Sequence, residues 1–252
     1  MRKLLNYITK PLGLELIKPL RYRGKARHQF ITYAYSQEDQ TTNEFLVSIA
    51  MKSISRAFLD EIDTFSCDRN APDYQYFNIY PGEHYRLLKA LCEILAPNKI
   101  VEIGTFTGMG TLAIHQGTKE GAEIITFDVS DWKSFQTQLT ENLFSSGRVK
   151  QLLSDLSLPE SFQQHKTMLE ESEFIFCDGP KDGIFEYRFL QLLANTQLAE
   201  RPRILMLDDI RFPNMIDLWR SIESPKLDIT SFGHFSGSGL VDVSRGLKLR
   251  GL

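Results

Sequence analysis

No apolar run in this chain approaches the length needed to cross a bilayer, and no hydrophobic stretch of signal-peptide type follows the first basic residues. A soluble, cytoplasmic protein is the expectation. Cysteine is scarce: Cys67, Cys92 and Cys177 form an odd, widely spaced set without metal-ligand spacing, which argues against a disulfide framework and reads as reduced, mostly buried thiols. An excess of one charge is missing too. With 29 Lys+Arg against 32 Asp+Glu the net charge is −3 and spread along the chain, so no nucleic-acid partner is expected. Internal repeats and low-complexity segments are absent. The 252 residues suffice for a full core, as one domain with an appendage or as two small domains.

The N-terminus departs from this even charge. Arg2, Lys3, Lys10, Lys18, Arg21, Arg23, Lys25 and Arg27 face only Glu15, with leucines and isoleucines between them, and Pro11 and Pro19 interrupt the segment. Such a basic amphipathic stretch suits peripheral contact with an anionic membrane or a partner; an N-terminal helix covering the core or a homodimer interface is the other reading. Residues Asn43 to Phe65 carry Phe45, Ile49, Ile54, Phe58, Leu59 and Ile62 at roughly helical spacing, and Asp68 to Pro81, with its prolines, asparagines and aromatics, reads as an irregular entry loop. The division expected is an N-terminal helical arm, 1–78, and a main domain, 79–252.

From Gly82 a regular alternation begins. A helix over Glu83–Leu95 precedes strands at Lys99–Ile103, Glu123–Asp128, Arg148–Leu153, Glu173–Cys177 and Arg203–Leu207, with helical stretches between them. Short runs rich in Ile, Val, Leu and Phe suit parallel strands covered on both faces. Met215–Ile222 reads as a helix. Lys226–Phe232 and Leu240–Ser244 are strands whose glycine-rich joint, 233–239, is too short for a crossover helix, so they should pair antiparallel. The fold class is α/β, a doubly wound, mostly parallel seven-stranded sheet with an antiparallel C-terminal hairpin and an N-terminal helical arm.

The first strand runs into Gly104-Thr105-Phe106-Thr107-Gly108-Met109-Gly110-Thr111 and then a helix, Thr111 to Lys119. Three glycines let the backbone turn sharply and approach a ligand. Gly108 to Ala113 also fits the GxGxxA dinucleotide fingerprint, but that fingerprint's first glycine should follow the strand at once, and here a longer loop intervenes. Glu102 sets an acid beside the first glycine, where an ammonium is a better partner than a pyrophosphate. S-adenosylmethionine (SAM) has an ammonium and no phosphate.

Ligands of an open parallel sheet sit beyond the carboxyl ends of its strands, and those ends are acidic here. Asp128 closes the second strand and suits ribose hydroxyls; Asp155 follows the third, placed for adenine, although both also suit a helix N-cap. Asp178 ends the fourth strand and Asp208-Asp209 the fifth. Three carboxylates in one cleft repel unless a cation joins them, and all-oxygen ligation favours Mg²⁺ or Ca²⁺. Lys181 is then placed to take a hydroxyl proton. The plainer reading is a surface lysine in a solvated acidic loop, with Asp209 paired to Arg211.

Val101-Glu102-Ile103-Gly104-Thr105-Phe106-Thr107-Gly108, Asp178-Gly179-Pro180-Lys181 and Asp208-Asp209 together resemble class I SAM-dependent methyltransferases, and among them the catechol/caffeoyl-CoA O-methyltransferase-like group. The resemblance spans roughly Tyr80 to Ser244. It implies O-methylation of a small-molecule hydroxyl, with Lys181 and Asp178 catalytic and Asp178, Asp208 and Asp209 holding a divalent cation. The cofactor-binding set expected on this reading is Glu102, Gly104, Thr105, Phe106, Gly108, Gly110, Thr111, Asp128, Val129, Asp155 and Asp178. Two positions depart from the group: Asp209 stands where it has Asn, and Gly110 where it has Ser. These departures keep two alternatives open, a metal-independent methyltransferase and a non-catalytic SAM-binding or membrane-associated scaffold. Tyr74, Tyr76, Phe77, Tyr80, Phe212, Trp219 and Phe235 are candidates for an acceptor wall or for the core.

Overall fold

The computed structural model describes residues 42–64, 74–137, 139–196 and 200–250. All belong to the unit Ala34–Leu252. Residues 1–41, which carry the basic segment, and Cys67 lie outside the described residues. Five short strands build the centre, four of them buried along nearly their whole length: β1 (Lys99–Ile103), β2 (Glu123–Asp128), β4 (Phe174–Cys177) and β5 (Ile204–Asp208), with β3 (Val149–Leu153) more exposed. With β6 (Lys226–Asp228) and β7 (Ser238–Asp242) they form one sheet in the order β3-β2-β1-β4-β5-β7-β6. The first five are parallel, and β7 runs antiparallel to both β5 and β6. This is the doubly wound sheet with a terminal antiparallel pair that the apolar pattern predicts.

Successive strand residues point to opposite faces, so each strand feeds two cores. Ile100, Ile124, Phe174, Phe176 and Met206 pack with helices α1 (Glu44–Leu59), α2 (Tyr85–Leu95) and α3 (Met109–Gly117). Val101, Ile125, Phe127, Ile175 and Leu205 face α5 (Pro159–Glu171), α6 (Phe185–Ala194) and α7 (Ile216–Ser221), while the short α4 (Glu141–Ser145) lies between β2 and β3 in sequence. Burial of both faces explains why the strands read as continuous apolar runs.

Local chemistry sets the boundaries that differ from the spacing. Helix α1 starts at Asn43, whose side-chain oxygen accepts the Leu46 N–H at 2.9 Å, and stops at Asp60 in an extended conformation rather than running on to Phe65. Helix α3 begins two residues before Thr111 because Gly108, at φ 83°, caps it. The strand expected over Lys226–Phe232 ends at Asp228, whose carboxylate accepts the Thr230 N–H at 2.9 Å and turns the chain into a 3₁₀ segment, Thr230–Phe232. Phe77 and Trp219 are core residues, 1% and 2% exposed, and not part of an acceptor wall. Cys92 and Cys177 are free and buried. Among the described residues no helix is long and apolar enough to cross a membrane.

Candidate active site

The strand order reverses between β1 and β4, and a crevice opens beyond the carboxyl ends of neighbouring parallel strands at such a point. A cavity of about 560 Å³ lies there, lined by Gly104 and Phe106 after β1, Asp128 and Val129 at the end of β2, Asp155 after β3, and Asp178 and Lys181 after β4. A larger hollow of about 790 Å³ is lined by Asn43, Pro202 and Asp242, at the other end of β5 and away from these carboxylates. Gly104 has no tolerable substitute: its φ is 100°, and an added Cβ would overlap the carbonyl oxygen of Asp178. Phe106 also adopts positive φ, 42°, and its N–H donates to Asp128 Oδ2 at 2.9 Å, while the Ser130 N–H donates to Oδ1 at 3.0 Å. A carboxylate accepts about four hydrogen bonds, so Asp128 keeps capacity for a ligand. Asp155 Oδ1 accepts the Ser157 N–H at 2.9 Å and still lines the cavity, so it serves a turn without leaving the site.

Other residues of the glycine-rich stretch sit beneath this surface. Thr105 is buried with its hydroxyl 2.7 Å from that of Thr126. Glu102 is fully buried: one oxygen accepts from the Thr111 hydroxyl, the other has no hydrogen-bond partner, and burial pushes the carboxyl up to about 8. The acid that the motif sets against an ammonium therefore stands under the start of α3 and outside the cavity lining. A Cβ at Gly110 would overlap the unpartnered Glu102 oxygen, and one at Gly108 would overlap Leu139. Any side chain at 110 would therefore have to displace the Glu102 carboxylate.

The acidic strand ends do converge. Oxygens of Asp178, Asp208 and Asp209 lie within 4.8 Å of one another. The Lys181 ammonium engages Asp178 and lies 3.4 Å from Asp209 Oδ2. Lys181 and Asp209 both hold positive φ, 56° and 57°, which the surroundings must impose. Part of that constraint comes from Glu186, 1% exposed, whose carboxylate accepts the Lys181 N–H at 2.7 Å and the Gly183 N–H at 3.1 Å. Asp209 does not pair with Arg211, which turns to Asp228 at 3.2 Å. Its partners are Ser236, through the hydroxyl, and His234 Nδ1 at 3.2 Å. His234 Nδ1 is also 3.0 Å from Asp208 Oδ2, and its Nε2 is 3.4 Å from Glu83.

Electrostatics follow from this crowding. Burial, then Asp208, raise the Asp178 carboxyl. For Lys181 burial opposes the charge, but Asp178 and Asp208 outweigh it and hold the ammonium above its usual range. Burial likewise opposes the His234 imidazolium, yet Asp208 and Asp209 lift it to about 10. Asp209 is lowered because the His234 and Ser236 hydrogen bonds outweigh burial. Counted as formal charges, the three carboxylates with the Lys181 ammonium and the His234 imidazolium sum to −3 + 2 = −1.

A family model described as O-methyltransferase matches residues 55–212, more than half of the chain. The chain belongs to the O-methyltransferase family. A curated relative, O-methyltransferase hkm8 of Aspergillus hancockii, is 30% identical over 115 residues, which are 45% of this chain and 43% of that protein. The match thus spans under half the length of that relative. Two solved structures are similar at 17% identity. The S-adenosylhomocysteine (SAH)-bound methyltransferase PaMTH1 of Podospora anserina has a TM-score of 0.47 over 94% of this chain and 100% of that one. The O-methyltransferase of Bacillus cereus in complex with SAH has a TM-score of 0.43 over 89% and 97%.

For an O-methyltransferase of the group that the motifs resemble, the implied divalent ion has a fitting donor set: three carboxylates whose oxygens cluster within 4.8 Å of one another. The cavity likewise fits a SAM-sized ligand, with Asp128 at one end and Asp178 at the other. Sequence reasoning missed Glu186, His84, His234 and Ser236. A histidine in the glycine-rich joint, 233–239, two residues before a serine, was the one available signal for the last two. Positions 84, 208 and 234 are too far apart for any spacing rule to join them.

Proposed function

We propose that this chain transfers a methyl group from SAM to an oxygen nucleophile on a small molecule, in the cytoplasm, where its thiols stay reduced. One observation carries the reading: a single cavity has a ribose-type acceptor, Asp128, at one side and a lysine among carboxylates at the other. SAM, when bound, supplies a methyl group already activated on a sulfonium. The chain then has to hold, align and deprotonate. Asp128 has free lone pairs for the ribose hydroxyls, and the bare Cα of Gly104 keeps the floor between β1 and β4 open. Lys181 points its Nζ at the acidic end, where an acceptor hydroxyl would sit; it takes that proton only after its own ammonium proton has passed to solvent, a step that the neighbouring carboxylates oppose. A divalent ion among Asp178, Asp208 and Asp209, when bound, supplies positive charge that favours both the alkoxide and the neutral amine. Residues 79–252 form the proposed methyltransferase domain and 1–78 its arm.

A second reading, metal-independent methyl transfer, is favoured by the charge count: Lys181 and His234 already offset two of the three carboxylates. Turnover of SAM to SAH against a panel of hydroxylated acceptors decides between them. The first reading predicts loss with chelator, return with Mg²⁺, and a fall of about 10²- to 10⁴-fold for Lys181→Ala. Turnover indifferent to chelator supports the second; no turnover on any acceptor, with SAM still bound, supports a scaffold. Residues 1–27 are proposed to touch anionic membrane, and vesicle sedimentation unchanged by their removal would rule this out.

A further inference from the structure

We propose that His84, Asp208 and His234 form a site for a divalent transition-metal ion of the zinc class, separate from the three-carboxylate group and sharing only Asp208 with it. One ligand atom from each of the three lies within 4.8 Å of the others. His84 is 1% exposed, and neither of its ring nitrogens has a hydrogen-bond partner. Asp208 Oδ1 is equally buried and unpartnered. The two orphaned atoms face each other, His84 Nδ1 being 3.5 Å from Asp208 Oδ1. Folded proteins rarely leave an imidazole and a carboxylate oxygen buried and unbonded side by side, and a cation between them satisfies both. The separation suits it: two ligands of a tetrahedral ion at about 2.1 Å stand about 3.4 Å apart.

His234 completes the set. Its Nδ1 lies 3.0 Å from Asp208 Oδ2, 3.0 Å from the Ser236 hydroxyl and 3.2 Å from Asp209 Oδ1, contacts that an ion at Nδ1 would replace, and its Nε2 lies 3.4 Å from Glu83 Oε2. A carboxylate on the far nitrogen is the arrangement that fixes a ligating histidine's tautomer and turns its other nitrogen to the metal. The two histidine-bearing segments are also tied to each other through the backbone. Gly82 N–H donates to Gly233 O at 3.3 Å and Phe235 N–H to Gly82 O at 2.9 Å, so the site is held before any ion arrives. The Lys181 ammonium contacts Asp178 and Asp209, and no ion pair shorter than 4 Å joins it to Asp208. Two imidazoles and one carboxylate favour Zn²⁺, Co²⁺ or Cu²⁺ over Mg²⁺ and Ca²⁺, which take oxygen. Binding displaces the proton on His234 Nδ1 to solvent. None of this depends on methyl transfer.

Cobalt is the probe, titrated into the metal-free full chain and followed by its visible d–d absorption. With Mg²⁺ in large excess to occupy the three carboxylates, the expected result is one Co²⁺ per chain that Mg²⁺ does not displace and Zn²⁺ does. His84→Gln and His234→Gln should each weaken binding about 100-fold or more, because loss of even an outer partner of a metal ligand costs about 10- to 100-fold. Asp178→Asn removes a nearby charge but no nitrogen, so the spectrum should keep its shape. A spectrum lost in Asp178→Asn and kept in both histidine variants would mean that cobalt occupies the carboxylates alone, and would overturn the site; so would absence of Co²⁺ binding. Because His84 lies in the core and its replacement risks the fold, Cu²⁺ bound to the unmutated chain gives an independent reading. Its electron spin echo modulation should show imidazole nitrogens, and their absence overturns the assignment.

Discussion

Glu102 shows what burial does to one side chain. Its carboxyl titrates at 4.5 in a solvated chain and at about 8 in the fold, with burial the leading cause. Between those values the native state keeps a proton that the unfolded state has lost, so stability falls as pH rises through the window and levels off above it. Glu102→Gln should remove that fall. Thermal melts of both proteins at about pH 5 and about pH 9 check it: the wild type should lose a few kcal/mol more than the variant on going to the higher pH. Equal losses would mean that Glu102 is not the buried acid described. Much of this residue's behaviour was hidden in the sequence. The motif marks an acid next to a glycine, but only the packing of α3 over it, with Thr111 on one oxygen and the bare Cα of Gly110 against the other, shows that it is enclosed.

Among the elements, the sheet was the most legible because both its faces are covered: Ile100 and Val101, or Ile124 and Ile125, serve opposite cores, and continuous apolar runs mark such strands. Turn chemistry was less legible. Asp228 ends β6 with its own side chain, and α3 lies so close to α2 that a Cβ at Gly117 would overlap the Lys89 carbonyl, neither of which hydrophobic spacing reveals. The acidic positions at the ends of β2, β4 and β5 could be read from strand ends alone. The histidines facing them could not, because His84 precedes α2 and His234 lies between β6 and β7. Gly104 joins element to site. Gly104→Ala would place a methyl group on the Asp178 carbonyl and force φ 100° on a residue with a Cβ. A loss of about 2 kcal/mol or more is expected, from backbone strain alone plus displacement of β4's end. Denaturant unfolding reads it; an unchanged midpoint would mean that β1 and β4 are not held together at this point.

For the whole molecule, the α/β sheet, the family match over residues 55–212 and the cavity at the strand-order reversal point to one ligand class. A ligand that binds only the folded chain stabilises it by mass action, about 2.7 kcal/mol at a hundredfold excess over Kd. Such an effect would involve the fold from β1 to β4, since the cavity draws on the ends of these four strands. The central claim is that this cavity receives SAM with Asp128 on its ribose, and titration calorimetry with SAH on the wild type and on Asp128→Ala tests it most directly. One molecule of SAH should bind per wild-type chain, NAD should give no heat, and Asp128→Ala should weaken SAH by about 10- to 100-fold, the worth of one hydrogen bond to a charged group. A wild type that ignores SAH, or an Asp128→Ala variant that folds and binds it as tightly as the wild type, would contradict the account.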